Sequence, residues 1–284
     1  APLDAAPRSA AAAREALFHS FFHWGLHPWA IYICMALPLA YFHFRHGLPL
    51  APRSLLFPLI GARIHGWSGH LVDVIATVGT LFGVGTSLGL GAMQINAGLG
   101  ALTGLGMSLA VQIAIIAVVT TVATVSVVSG LHVGIRRLSE FNIGVGAVLL
   151  AFVLATGPTI HILESFTAGI GVYLSGLVAA SFRVGAAGEA DWQAGWTLFY
   201  WGWWISWSPF VGIFAARISR GRTIREMIAG MLVAPTLLGF LWFAAFGGTA
   251  LSMASAGVSR IAEMSVQDDA LSLYAMLAEL PLST

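Results

Sequence analysis

The residues with the clearest chemical potential are the aromatic side chains between Gly195 and Trp207, which read GWTLFYWGWWISW. This stretch holds five of the chain's ten tryptophans. A helix turns by about 100° per residue, so part of this aromatic set falls on one face. That face carries Trp196, Tyr200, Trp203 and Trp207, with Trp204 at its edge and Trp201 opposite.

An aromatic wall of this kind suits a cation that cannot donate a hydrogen bond, because the ring faces carry negative potential. Quaternary ammonium is the usual guest, at about 0.5–2 kcal/mol per ring. Tryptophan in a membrane helix usually lies in the interfacial belts. Here Trp201, Trp203 and Trp204 lie near the middle of the apolar segment. The alternative is a packed interface between helices, and residue types alone do not separate the two.

A second aromatic group lies near the start of the chain, at Trp24, Trp29 and Tyr32. Trp29 and Tyr32 are three residues apart and therefore share a helix face. Pro28 removes a backbone donor, which predicts a kink at that point. Tryptophan and tyrosine together offer ring faces and a few polar groups for a carboxylate or hydroxyl.

The same stretch carries a row of histidines. His19, His23 and His27 recur every four residues on one face, a spacing that can hold a metal. A metal site would also need ligands from other segments, and the candidates there lie close to the ends of apolar segments: His132, His161 and Asp73. We expect the histidines to bond within the helix bundle or face outer water, with no resident metal or cofactor.

Composition places the chain in a membrane. It is 58% hydrophobic and 9% charged, whereas soluble domains are about a quarter charged. The net charge of +1 gives no indication of nucleic-acid binding. The single cysteine, Cys34, excludes an internal disulfide framework. We therefore expect an all-α, multi-span membrane protein.

Apolar segments long enough to cross a bilayer predict a membrane domain over 18–251. Its six spans are placed at about 18–44, 74–95, 107–129, 141–163, 195–216 and 227–251. The segment 166–184 is apolar but weaker, which favours an amphipathic helix on the membrane surface. Residues 1–17 are interpreted as a lead-in and 252–284 as a tail, both extracytoplasmic.

The distribution of arginine predicts the orientation. All 13 basic residues are arginines, and nine of them fall in three alternate loops: Arg45, Arg53, Arg63, Arg136, Arg137, Arg217, Arg220, Arg222 and Arg225. The positive-inside rule puts these loops in the cytoplasm and both chain ends outside the cell membrane. An outside start without a visible signal peptide indicates a piece of a longer protein.

The segment from Gly195 to Trp204 resembles the signature of the betaine/choline/carnitine transporter family. Its order is a small residue, Trp-Thr, an apolar residue, any residue, an aromatic residue and Trp-x-Trp-Trp, and every position matches. The stretches 208–212 and 216–226 are also similar to that family. The resemblance implies a LeuT-like fold of two inverted repeats with about twelve spans. This chain would correspond to the fourth through ninth, a partial fold, with the third and tenth spans outside it.

The resemblance also implies a substrate site, in which the stretch 22–32 supplies the other half of an aromatic box. The implied binding residues are Trp24, Trp29, Tyr32, Trp203, Trp204 and Trp207, with Phe199, Trp196 and Phe210 as possible lining. The implied substrate is choline, with glycine betaine or carnitine as alternatives. The resemblance further implies transport by alternating access, assembly as a homotrimer and a role in osmoprotection.

The coupling ion is a separate question. Sodium-coupled betaine carriers of the family place two threonines one helical turn apart, where this sequence has Thr80 and Val84. Valine offers no oxygen ligand, and the stretches 58–66 and 126–140 resemble the proton-driven choline branch. Asp73 is the acid nearest a span interior, and it could take a proton or serve as a helix-end residue. Proton symport is therefore expected, with sodium as the alternative.

Two functions of other kinds stay open on the sequence alone. One is a membrane metalloenzyme built on the row of histidines. The other is a sensor or scaffold with the transporter fold but no transport. We expect a secondary transporter that performs no covalent chemistry.

Overall fold

The computed structural model describes residues 5–6, 9–129, 136–185, 189–258, 261 and 269–281. Within these residues the helices, numbered along the chain, are α1 (Ala10–Trp24), α2 (Leu26–His46), α3 (Trp67–Thr103), α4 (Leu109–Val128), α5 (Arg136–Thr156), α6 (Thr159–Ser181), α7 (Phe199–Ile218), α8 (Ile224–Ser255) and α9 (Ser272–Ala278). Shorter helical turns connect them at Pro52–Leu56, Phe57–Ile60, Gly61–His65, Ala190–Gln193 and Asp269–Leu271. No described residue lies in a strand, which confirms the all-α class.

Among the residues that the structure describes, six helical stretches are long and apolar enough to cross a membrane: Ala10–His46, which joins α1 and α2, together with α3, α4, α5, α6 and α8. This agrees with a multi-pass membrane protein. The tryptophan-rich helix α7 falls outside this set because its tryptophan, serine and proline residues lower its mean hydropathy. Helix α6 falls inside it, although the sequence favours a surface location for 166–184, and that location stays a prediction.

Several helix boundaries differ from the sequence-based ones. The first predicted span, 18–44, consists of two helices that meet at Gly25, three residues before the predicted kink at Pro28. The fourth predicted span ran to residue 163, but α5 ends at Thr156. Gly157 and Pro158 follow, and the fixed φ of proline suits the start of the next helix, α6. The span predicted at 195–216 begins with a π-helical turn, Ala194–Leu198, before α7.

The chain divides into two compact units. One comprises Phe18–Thr86 and Val172–Phe240, and the other comprises Ala1–Leu17, Ser87–Gly171 and Leu241–Thr284. In the first unit, α2 packs closely against α7. The core at their contact contains Ala36, Leu39, Ala40, Ala215 and Ala216, together with Met227 of α8. Small side chains at such a contact let two helix backbones approach closely.

In the second unit a buried asparagine fixes the turn between α3 and α4. Asn96 is fully buried. Its amide nitrogen donates to the Gly106 carbonyl at 3.4 Å, and its Oδ1 accepts the Ser108 N–H at 3.1 Å. Ser108 in turn caps α4, because its Oγ accepts the Val111 N–H at 3.3 Å. One side chain therefore satisfies backbone groups that no helix partner reaches.

We expect Asn96→Ala to lower the stability of the protein by about 1–3 kcal/mol, because the Ser108 N–H loses its buried partner. The measurement is thermal unfolding of the purified protein in detergent, followed by circular dichroism. Asn142→Ala is the matched control, since Asn142 is exposed on α5. Equal melting temperatures for the two variants would contradict the structural role of Asn96.

Candidate functional site

Five aromatic rings from α1, α2 and α7 meet in the first unit, and we call them the ring cluster: Trp24, Tyr32, Tyr200, Trp203 and Trp204. Trp204 is its centre. It stacks on Trp203 at 4.9 Å between centroids with planes 10° apart. Trp24 meets it edge-on at 4.7 Å, and Tyr32 does so at 6.4 Å. Edge-on and stacked geometries are the favoured arrangements of aromatic pairs.

Tyr200 completes the cluster one turn before Trp203 and Trp204. Its ring lies 6.0 Å from Trp24, 6.1 Å from Trp203 and 6.0 Å from Trp204. The sequence placed Tyr200 on the aromatic face but did not count it among the binding residues. The helical spacing of i, i+3 and i+4 was the signal that could have included it.

A hydrogen bond to the backbone of α1 fixes Trp204 in this cluster. The side chain is only 6% exposed, and its indole N–H donates to the His23 carbonyl of α1 at 2.9 Å. The donor is therefore occupied by the protein, and one face of the ring stacks on Trp203. Trp29, also predicted for the site, extends the cluster through Tyr32, with ring centroids 5.6 Å apart at 79°.

The other predicted residues lie around the cluster or apart from it. Phe199 is 41% exposed and contacts Tyr200 and Trp203, at 5.4 and 5.8 Å between centroids. Trp196 contacts Tyr200 at 5.8 Å and also reaches His23 at 5.7 Å. Both therefore border the ring cluster.

Trp207 was also predicted as a binding residue, a role that stays a prediction, and it lies between its own helix and α3. Its ring meets Phe210, which is 54% exposed, at 5.7 Å. It also lies against Gly83 of α3, where an added Cβ would come 3.0 Å from the indole nitrogen. Among the described residues this buried nitrogen has no hydrogen-bond partner. Trp207 thus offers a donor that Trp204 does not.

The predicted coupling residues lie on α3. The Thr80 hydroxyl donates to the Ala76 carbonyl of its own helix at 2.9 Å. Asp73 accepts the Arg53 N–H at 2.9 Å, and its other oxygen lies 3.4 Å from the Arg53 guanidinium. Both charged side chains are about three-quarters buried, at 22% and 27% exposure. Asp73 therefore anchors the connection between α2 and α3.

The histidines of α1 and α2 are engaged by neighbouring groups. His23 is fully buried; its Nδ1 lies 2.8 Å from the His19 carbonyl and its Nε2 lies 3.4 Å from the Thr197 hydroxyl. His27 Nε2 lies 3.0 Å from the Ser181 hydroxyl. No group of three or more metal-ligating side chains is arranged around a common point in the described part of the chain. The predicted candidate His132 lies outside the described residues, and His161 Nε2 lies 3.3 Å from the Ser165 hydroxyl.

A large open cavity, of about 1630 Å³, lies away from the ring cluster at the opposite ends of α2 and α7. Its apolar wall includes Leu37 and Phe44, and its rim carries Arg45, Arg220 and Arg222. Arg220 and Arg222 lie in a connection that the positive-inside rule assigns to the cytoplasm, and Arg45 lies in the last turn of α2. The cavity and the ring cluster therefore lie at different ends of the α2–α7 pair.

The sequence was compared with protein families and with characterised proteins. The model of the betaine/carnitine/choline family of transporters matches residues 1–284. The chain belongs to this family. Members are transporters rather than enzymes, which fits the expected secondary transporter and not the alternative of a metalloenzyme.

Three relatives illustrate the similarity. A glycine betaine transporter of Bacillus subtilis is 47% identical over 89% of this chain and 50% of its own length. A glycine betaine/proline/choline transporter of Vibrio parahaemolyticus is 47% identical over 82% and 42%. A glycine betaine transporter of Acinetobacter baylyi is 43% identical over 99% and 43%. The chain spans about half the length of these curated relatives.

We expect purified protein to contain neither iron nor zinc in stoichiometric amount, because the His23 ring nitrogens are engaged by His19 and Thr197. The measurement is elemental analysis of protein expressed in metal-supplemented medium and purified without a metal-affinity tag. A metal content near one equivalent per chain that is lost in a His23→Gln variant would contradict this expectation. Content that survives this change would point to binding elsewhere.

Proposed function

We propose that this chain supplies the substrate-binding rings of a secondary transporter for quaternary ammonium osmolytes in the cell membrane. The observation that supports it best is the ring cluster, in which four rings surround Trp204 at 4.7–6.4 Å between centroids. A trimethylammonium group has no N–H to donate and carries a diffuse positive charge. Ring faces stabilise such a group by about 0.5–2 kcal/mol each.

Glycine betaine is the substrate we propose first. The relatives named above are described as transporters of glycine betaine, and one of them also of proline and choline. This reverses the preference for choline that the sequence suggested, and choline becomes the second candidate, with carnitine third. All three carry the same trimethylammonium group, so the ring cluster suits each of them.

The transport mechanism we propose is alternating access, with the cation held in the membrane by α1, α2 and α7. Proton coupling is proposed over sodium coupling because Val84 stands one turn from Thr80 on α3, where a second oxygen ligand would be required. A homotrimer is also proposed, on the family resemblance alone. Each of these belongs to the whole protein, of which the chain covers a part.

Replacing Trp204 of the ring cluster and its neighbour Trp29 with leucine tests the aromatic site. Trp204→Leu and Trp29→Leu keep an apolar side chain but remove the π face. If each ring contributes about 0.5–2 kcal/mol, apparent affinity for glycine betaine should fall about 2–30-fold. The measurement is concentration-dependent uptake of radiolabelled glycine betaine and choline by full-length protein in proteoliposomes.

The control for these variants is Trp67→Leu. Trp67 is 78% exposed on α3. The substitution removes the same indole ring at a position outside the ring cluster. It should leave the apparent affinity at the wild-type value. Unchanged uptake kinetics in both Trp204→Leu and Trp29→Leu would reject the aromatic site as the place where the cation binds.

The driving ion can be tested with the same liposomes. We expect uptake without sodium that responds to an imposed pH gradient, because Val84 cannot coordinate sodium beside Thr80. Sodium and pH gradients are imposed separately, and a protonophore is added to collapse the pH gradient. Uptake that requires inward sodium and ignores the protonophore would show that the inference from Val84 is wrong.

A further inference from the structure

The break between α1 and α2 at Gly25 leaves backbone groups that no helix satisfies. The last carbonyls of a helix and its first N–H groups have no partner within the helix. Two side chains from other helices reach them here. The Trp204 indole of α7 donates to the His23 carbonyl at 2.9 Å, and the Leu26 N–H donates to the Tyr173 hydroxyl of α6 at 3.0 Å.

Both capping side chains are buried, so water does not compete for these groups. Tyr173 is 1% exposed and Trp204 is 6% exposed. A buried backbone group without a partner is costly, and removing one partner leaves the other group unsatisfied. The two hydrogen bonds therefore hold α6 and α7 to the two sides of the break.

Aromatic packing fixes the position of Tyr173. Its ring meets Phe240 edge-on at 4.9 Å, and Phe240 stacks on Phe21 of α1 at 4.1 Å with planes 3° apart. Gly25 sits directly against this group. A Cβ there would lie 2.5 Å from the Phe21 carbonyl oxygen and 2.9 Å from the Phe240 ring, so the position requires glycine.

The consequence reaches the ring cluster. Trp24 follows His23 directly, and its ring meets Trp204 at 4.7 Å. Tyr32 lies beyond the break on α2 and meets the same ring at 6.4 Å. The angle at the break therefore decides how the rings of α1 and α2 stand around Trp204.

We propose that Tyr173 and the His23 carbonyl are positioning groups for the aromatic site. The His23 carbonyl fixes the orientation of Trp204, and Tyr173 fixes the start of α2. Tyr173 acts through the Leu26 N–H and the backbone. This proposal rests on the proposed function, since it concerns how well the rings hold a quaternary ammonium substrate. A preorganised site binds more tightly, because less conformational freedom of its side chains is lost when the substrate binds.

The first test is Tyr173→Phe in the full-length protein, which keeps the ring packing on Phe240 and removes only the hydroxyl acceptor. We expect the KM for glycine betaine to rise about 3–10-fold while kcat stays near the wild-type value, the pattern of lost binding common to ground and transition states. Uptake in proteoliposomes gives both constants. Tryptophan fluorescence titration should give the same change in Kd.

The matched control is Tyr274→Phe. The Tyr274 hydroxyl donates to the Gln94 carbonyl at 2.9 Å in the other unit, so the variant also removes one hydrogen bond of a tyrosine. A merely structural role for Tyr173 predicts that both variants lose thermal stability and that their KM values stay equal to each other. A positioning role predicts that only Tyr173→Phe changes KM.

The second test addresses Trp204 without removing its ring. Replacement by benzothienylalanine, introduced by nonsense suppression, keeps the bicyclic ring and substitutes sulfur for the indole N–H. We expect KM to rise again by about 3–10-fold, because the His23 carbonyl loses its donor. This variant decides the question if Tyr173→Phe fails to fold.

The outcomes separate the two proposals. A wild-type protein that transports neither glycine betaine nor choline rejects the proposed function, and the positioning role with it. A wild type that transports, with KM unchanged in Tyr173→Phe and in the benzothienylalanine variant, overturns the positioning role alone. An equal rise of KM in Tyr274→Phe also overturns it, because the effect would then be general destabilisation.

Discussion

The close contact between α2 and α7 is the constraint on which the rest of the first unit depends. Alanine residues at 36, 40, 215 and 216 are buried there. Gly212 faces Met35 so closely that an added Cβ would lie 2.9 Å from the Met35 Cβ. Small side chains at one end of the helix pair thus bring the backbones together, and the large rings near the other end must then meet. The packed alanines and the aromatic cluster are two parts of one arrangement.

The sequence predicts those features of the site that depend on spacing within one helix, and it does not predict those that depend on contacts between distant segments. The rings of α7 were predictable, since the spacing of Trp203, Trp204 and Tyr200 along one helix determines their common side. The break at Gly25 was anticipated only as a kink at Pro28, because its position depends on Phe240, a residue distant in the chain. Tyr173 was missed altogether. A tyrosine in an apolar segment carries no local sign that its hydroxyl caps another helix.

The same distinction explains the outcomes for the polar residues. The histidine spacing was compatible with a metal, but in the structure the two His23 ring nitrogens lie within hydrogen-bond distance of the His19 carbonyl and the Thr197 hydroxyl. Trp207 shares the helix face predicted for it, and its ring lies against Gly83 of α3 and beside Phe210, three residues further along α7. The family itself was predictable because a run of matched aromatic residues does not depend on tertiary contacts.

The ring cluster has a consequence for substrate choice. Glycine betaine and choline share the trimethylammonium group and differ at the other end, which is a carboxylate in one and a hydroxyl in the other. The Trp204 donor is occupied by the His23 carbonyl, so under the proposed function this ring would contact the shared cation and not the end that differs. Donors other than the Trp204 N–H would then have to discriminate between the two substrates. The indole nitrogen of Trp207, buried and without a partner among the described residues, is one such donor. A site that separated the two tasks in this way would keep its aromatic walls unchanged while the donors around them set the substrate. The names of two relatives are compatible with such a division, since one is a glycine betaine transporter and the other a glycine betaine/proline/choline transporter.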